Sequence, residues 1–180
     1  MNVDSDLVLD SAIYVTQDLV VNLNANITIP TDTVGDGVFC VKKGTLTING
    51  TGTIDPVGAN YYCMAVWADS GEVVINSGTY TNAGAIEKNG VNDLGGTVCN
   101  YELIYVSNGG KVTINGGTFI GANPAYTLNV KDRPGAGSIE VKGGSFYKFN
   151  PAEATDATIT VAAGYQVVAN GDWYDVVPVA

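Results

Sequence analysis

The sequence predicts an all-β solenoid, a parallel β-helix of about six coils closed by a C-terminal β-hairpin cap. Three observations lead there. First, one phrase recurs four times: GTLTING at 44–50, GEVVINSGTY at 71–80, GKVTINGGTF at 110–119 and GSIEVKGGSF at 137–146. Its opening glycines, Gly44, Gly71, Gly110 and Gly137, stand 27, 39 and 27 residues apart, so one structural unit recurs per step. Second, the apolar residues inside each phrase alternate, as in Leu46 and Ile48 or Val112 and Ile114. Period two describes a strand with one buried face. Third, the chain carries 23 Gly and 6 Pro but no long stretch of 3.6-residue periodicity.

The elements follow in order. Residues 1–6 are short, polar and expected to fray. Residues 12–15, 18–23 and 27–30 supply three strands of a first coil. Each phrase is preceded by another strand, at 38–41, 64–67, 103–106 and 127–130, and followed by a short third one, such as 52–54 or 118–120. Three strands per unit, bent at Gly and Asn corners, make one coil. At these corners a positive φ is expected, which Gly reaches freely and Asn tolerates. Residues 165–169, Asn170-Gly171 and 173–177 read as a hairpin with a primed turn, covering the last open edge. The whole chain, 1–180, is then one domain, with coils at about 7–162, a cap at 163–180 and an inserted loop at 83–99 that carries the 12-residue excess of the long step. No cap precedes the first coil, which leaves that end as a docking or oligomer surface.

Composition narrows the function classes. The chain is 46% hydrophobic and 14% charged, which is globular rather than disordered. Its net charge of −10, with only eight basic residues, argues against a nucleic-acid surface. No run approaches the ~18 apolar residues of a membrane span. No basic, apolar leader follows Met1, so no secretory signal is expected.

Catalytic signals are sparse. There is no histidine, which removes His-based triads and His metal sites. The aspartates fall mostly at turns, where they cap their own backbone, and none repeats from unit to unit. Arg133, the only arginine, lies in KDRPG at 131–135. A lyase site there would need Arg133 and two carboxylates in one outer groove, and the expectation is that the folded chain does not supply it. No catalytic residue, metal ligand or cofactor is assigned. Cys40, Cys63 and Cys99 lack CxxC spacing. They read as small buried hydrophobes, with a Cys40–Cys63 pair on neighbouring coils as the alternative.

Aromatic residues give the one candidate surface. Tyr61, Tyr62 and Trp67 cluster before and within one strand, and Tyr101 and Tyr105 occupy the equivalent stretch one coil later. Facing outward they form a ladder suited to stacking sugars or packing a partner; facing inward they are core or corner residues. Glu87, Lys88 and Asn89 lie in the inserted loop, either a binding loop or a neutral surface insertion.

The segments VTQDLVVNLN at 15–24, GTLTINGTGTID at 44–55 and KVTINGGTF at 111–119 resemble the pectate-lyase-like right-handed β-helix superfamily. More narrowly, they resemble modules of phage virion proteins and of gut-bacterial surface proteins. GGSFYKFNP at 143–151 and AGYQVVANGD at 163–172 are similar to the terminal coil and hairpin of such modules. The resemblance implies a right-handed scaffold without the acidic and basic positions of the enzyme members. It implies a non-catalytic structural or adhesive protein, a head decoration, fibre or tail component on a virion surface. The alternative it implies is a carbohydrate-binding or adhesin module on a bacterial cell surface. A polysaccharide lyase or hydrolase is the less favoured third reading. Homotrimers and contact with host glycans or other virion proteins are implied with it.

Overall fold

In the computed structural model, which describes residues 1–29, 37–56, 63–84 and 102–180, the chain is all-β apart from two single-turn 3-10 segments. Its described strands form three sheets. The first contains β1 (Asn2–Val3), β4 (Leu19–Leu23), β7 (Thr45–Gly50), β10 (Glu72–Ile75), β13 (Gly110–Ile114), β16 (Gly137–Val141) and β18 (Ile159–Val161), all parallel. The second contains β2 (Leu7–Val8), β5 (Ile27–Thr28), β8 (Thr53–Asp55), β11 (Thr79–Thr81), β14 (Thr118–Ile120) and β17 (Gly144–Tyr147). It continues antiparallel through β20 (Trp173–Pro178) and β19 (Tyr165–Asn170). The third contains β3 (Ile13–Val15), β6 (Phe39–Val41), β9 (Val66–Asp69), β12 (Ile104–Ser107) and β15 (Leu128–Val130). Through β17 every third strand joins the same sheet, an order compatible with a solenoid.

The repeated phrase sets the register. Leu46, Val73, Val112 and Ile139 pair in one row, and Ile48, Ile75, Ile114 and Val141 in the next. Both rows are buried, as the alternation requires. The aromatic that closes the later phrases also points inward. Tyr80, Phe119 and Phe146 stack with centroids 5.1 and 4.7 Å apart and planes 9° from parallel. Strand spacing dictates that contact distance, because in-register rings on neighbouring parallel strands sit about 4.8 Å apart.

At the corners, Gly50, Gly78, Gly117 and Gly144 take the expected positive φ, at 104°, 102°, 111° and 103°. A Cβ on Gly50 would meet the Leu23 carbonyl oxygen at 2.2 Å, so the corner excludes any side chain. The asparagines before Gly50, Gly78 and Gly117 are not left-handed. They and Asn22 instead each donate from Nδ2 to Oδ1 of the asparagine one coil earlier: Asn22 to Asn2 at 2.8 Å, Asn49 to Asn22 at 3.5 Å, Asn76 to Asn49 at 2.8 Å and Asn115 to Asn76 at 2.8 Å. Asparagine is used here as a cross-coil rung, since its amide offers both a donor and an acceptor at strand spacing.

Both ends also depart in detail. Residues 2–3, expected to fray, form β1 and pair with Asn22 and Leu23. At the other end the hairpin forms, but Asn170 pairs with Trp173, so the loop is Gly171-Asp172. Gly171 has φ 59°, and Asp172 is not left-handed, the sign pattern of a type II′ turn.

Candidate functional site

The outer face of the third sheet gathers the polar and aromatic residues. Tyr14, Cys40, Trp67, Tyr105 and Asn129 are successive register partners between inward-facing neighbours, so they form one outward row. Trp67 and Tyr105 therefore stand side by side, half-buried, with ring centroids 5.9 Å apart. Both fall outside the core cluster, which decides the aromatic question for these two in favour of the outer face. Tyr14, which local sequence patterning does not single out, belongs to the same row and is 54% exposed. Tyr61, Tyr62 and Tyr101 lie outside the described residues, as do Glu87, Lys88 and Asn89 of the inserted loop. Cys40 and Cys63 are both buried and are not bonded to each other; Cys99 lies outside the described residues.

Beside this row runs a second one, two residues further along each strand. Lys42 Nζ sits 2.7 Å from Asp69 Oδ2, and 5.1 and 5.8 Å from the ring centroids of Trp67 and Tyr14. Trp67 Nε1 donates to Ser107 Oγ at 2.8 Å, and Ser107 Oγ donates to Asp69 Oδ1 at 3.1 Å. Asn108 donates its amide to the same Asp69 oxygen, and Arg133 donates to Asn108 Oδ1. Asn108 can reach because it turns the corner in the left-handed region, at φ 54°. Burial pushes the Asp69 carboxyl up, but hydrogen bonds from Lys42, Asn108 and Ser107 outweigh it and hold Asp69 below the usual carboxylate range. The result is an ionised carboxylate whose neighbours pin the Trp67 indole edge.

Glu102, which meets the row at Asn129, is the most unusual group on this face. It is 4% exposed, and Oε1 accepts from Asn129 Nδ2 at 3.2 Å while Oε2 has no partner among the described residues. Burial pushes its carboxyl up to about 7, against the opposing hydrogen bonds from its own backbone and from Asn129. Its backbone is held by buried Asn82, which donates to the carbonyls of both Cys63 and Glu102, at 2.9 and 3.2 Å, and accepts from Ala122 N at 2.7 Å.

Arg133 corrects one expectation. An open groove of about 600 Å³ is lined by Arg133 together with Asp132 and Asp156, so the chain does bring its arginine and two carboxylates into one outer groove. Two of these three groups are engaged with neighbours. Asp156 accepts from Thr158 N at 2.8 Å and Thr158 Oγ1 at 2.7 Å, capping its own turn, and Arg133 is engaged with Asn108. Among the described residues, no three His, Cys, Asp or Glu side chains are placed to hold a metal ion.

Comparison with protein-family models, with curated proteins and with solved structures returns no match for this chain.

Proposed function

We propose that the chain is a right-handed parallel β-helix serving as a rigid, non-catalytic adhesive scaffold, and that the outer face of its third sheet binds carbohydrate. The observation that carries this reading is the register row of Tyr14, Trp67 and Tyr105 beside Lys42, Asp69 and Asn108. Aromatic faces stack on the apolar faces of sugar rings, and neighbouring amides and charged groups bind the hydroxyls. Trp67 is held at its indole nitrogen by Ser107, so little ordering entropy remains to be lost on binding.

Trp67 is also the probe. A soluble neutral glucan, galactan or mannan oligosaccharide panel titrated against tryptophan emission gives a saturable change, and Tyr105→Ala weakens binding about tenfold, the loss of roughly 1–2 kcal/mol of stacking. Absence of binding across the panel, or equal binding by Tyr105→Ala, removes this reading. Release of reducing or unsaturated sugar from any of these polymers would replace the scaffold with an enzyme.

The resemblance to phage modules supports a virion-surface setting, as head decoration, fibre or tail component. A bacterial-surface adhesin rests on the same segments. Antibody to the chain labels tailed-phage particles in the first case and intact cells in the second. The homotrimer belongs to this proposal. A light-scattering mass near three times the 18.6 kDa chain supports it, and a mass near 18.6 kDa removes it.

A further inference from the structure

The third sheet stops before the other two. After β16 and β17, the first sheet continues with β18 and the second with β20, but among the described residues the third ends at β15. The groove of about 600 Å³ lies along β15, bounded by Asn129, Val130 and Lys131 on one side and by Thr158 on the other. It occupies the position where a further strand of this sheet would run.

Its backbone chemistry specifies the occupant. In a parallel ladder, alternate residues turn both N–H and C=O to the same side. Thr127 O accepts from Ile104 N at 3.1 Å and Lys131 N donates to Val106 O at 2.9 Å, so Thr127, Asn129 and Lys131 face β12. Leu128 and Val130 therefore turn their backbone groups to the opposite edge, where Val130 lines the groove. Val130 and Ala136, 4% and 2% exposed, give it an apolar floor. A row of backbone donors and acceptors at two-residue spacing over an apolar floor is matched by another extended backbone with an apolar residue pointing inward.

We infer that the free edge of β15 is a strand-addition site for an extended segment of a partner protein, with an apolar side chain seated over Val130 and Ala136. Neighbouring Lys131 and Arg133 are balanced by Asp132 and Asp156, so pairing rests on the main chain and the apolar residue rather than on net charge. This site adjoins the end of the aromatic row at Asn129 but stands whether or not that row binds sugar.

The test uses the full chain and a fluorescent peptide copying residues 102–109, whose central strand already pairs with β15 on its other edge. Saturable binding is expected. N-methylation of the peptide on one alternating set of residues weakens it at least about tenfold, while methylation of the other set leaves it within about twofold, because only one set faces the edge. Exchange protection rises at the Leu128 and Val130 amides. The inference is overturned by absence of binding, by equal loss from both methylated sets, or by protection that appears at Ile13–Val15 instead. Self-association of the unliganded chain with Leu128 and Val130 protected would overturn it too, giving the slot to a second copy.

Discussion

Replacing Phe119 by leucine separates ring stacking from burial. Phe119 is fully buried between Tyr80 and Phe146, at centroid distances of 5.1 and 4.7 Å and interplanar angles of 9°. Leucine keeps most of the apolar volume but removes both stacked faces. An aromatic pair adds about 0.5–1.5 kcal/mol beyond its buried area, so two pairs put Phe119→Leu at about 1–3 kcal/mol. Phe119→Ala opens a cavity as well and costs about 3–5 kcal/mol. Ile54, which pairs with Tyr80 one coil earlier in the same column, supplies the control. Ile54→Leu repacks without loss of a ring and costs less than about 1.5 kcal/mol. Urea unfolding followed by far-ultraviolet circular dichroism, with m unchanged, reads all three. If Phe119→Leu costs no more than Ile54→Leu, the stack is only a consequence of strand spacing and adds nothing of its own.

Three further outcomes are expected. Glu102 holds its proton to a higher pH when folded, about 7 against 4.5, so stability falls as pH rises through that interval, by about 3 kcal/mol in total; Glu102→Gln removes this slope in melts from pH 4.5 to 8. Asp69 behaves oppositely: its folded pKa is depressed, so its contribution is present above the unfolded value of 3.8 and is lost as pH falls through the lower folded value. Asp69→Ala should then cost about 1.5–3 kcal/mol at pH 7, and the gap to the unmodified chain should narrow in acid unfolding curves. Asn76→Ala breaks two rungs of the asparagine ladder and Asn2→Ala one, so the first should lower stability more, by about 1 kcal/mol at this exposed position, in the same urea assay.

Strand positions were legible because alternation is a local signal. The span expected at 118–120 is β14 itself, and the other expected strands start or end within a few residues of their bounds, whereas β1, β2 and β18 were not placed. Corner function was less legible. Asn22, Asn49, Asn76 and Asn115 precede their corners as turn chemistry and as ladder chemistry alike, and only the position of the neighbouring coil separates the two. Asp69 escaped for a related reason. Lys42, Ser107 and Asn108 lie 27, 38 and 39 residues from it, so no local window shows why a carboxylate belongs there. Trp67 and Tyr105 could be singled out because they repeat in sequence; Tyr14 could not, because its segment precedes the repeated phrase.

The asparagine ladder has a mechanical consequence. Its rungs join residues 20, 27, 27 and 39 positions apart, in that order from the N-terminus. Tension applied to the N-terminal end loads one rung at a time, so the column peels coil by coil rather than shearing as a block. Each rupture frees the chain between two rungs, roughly 70, 95, 95 and 140 Å of contour at about 3.6 Å per residue. The extension trace of a single molecule would thus reproduce the spacing of the rungs, with the long 39-residue interval falling last.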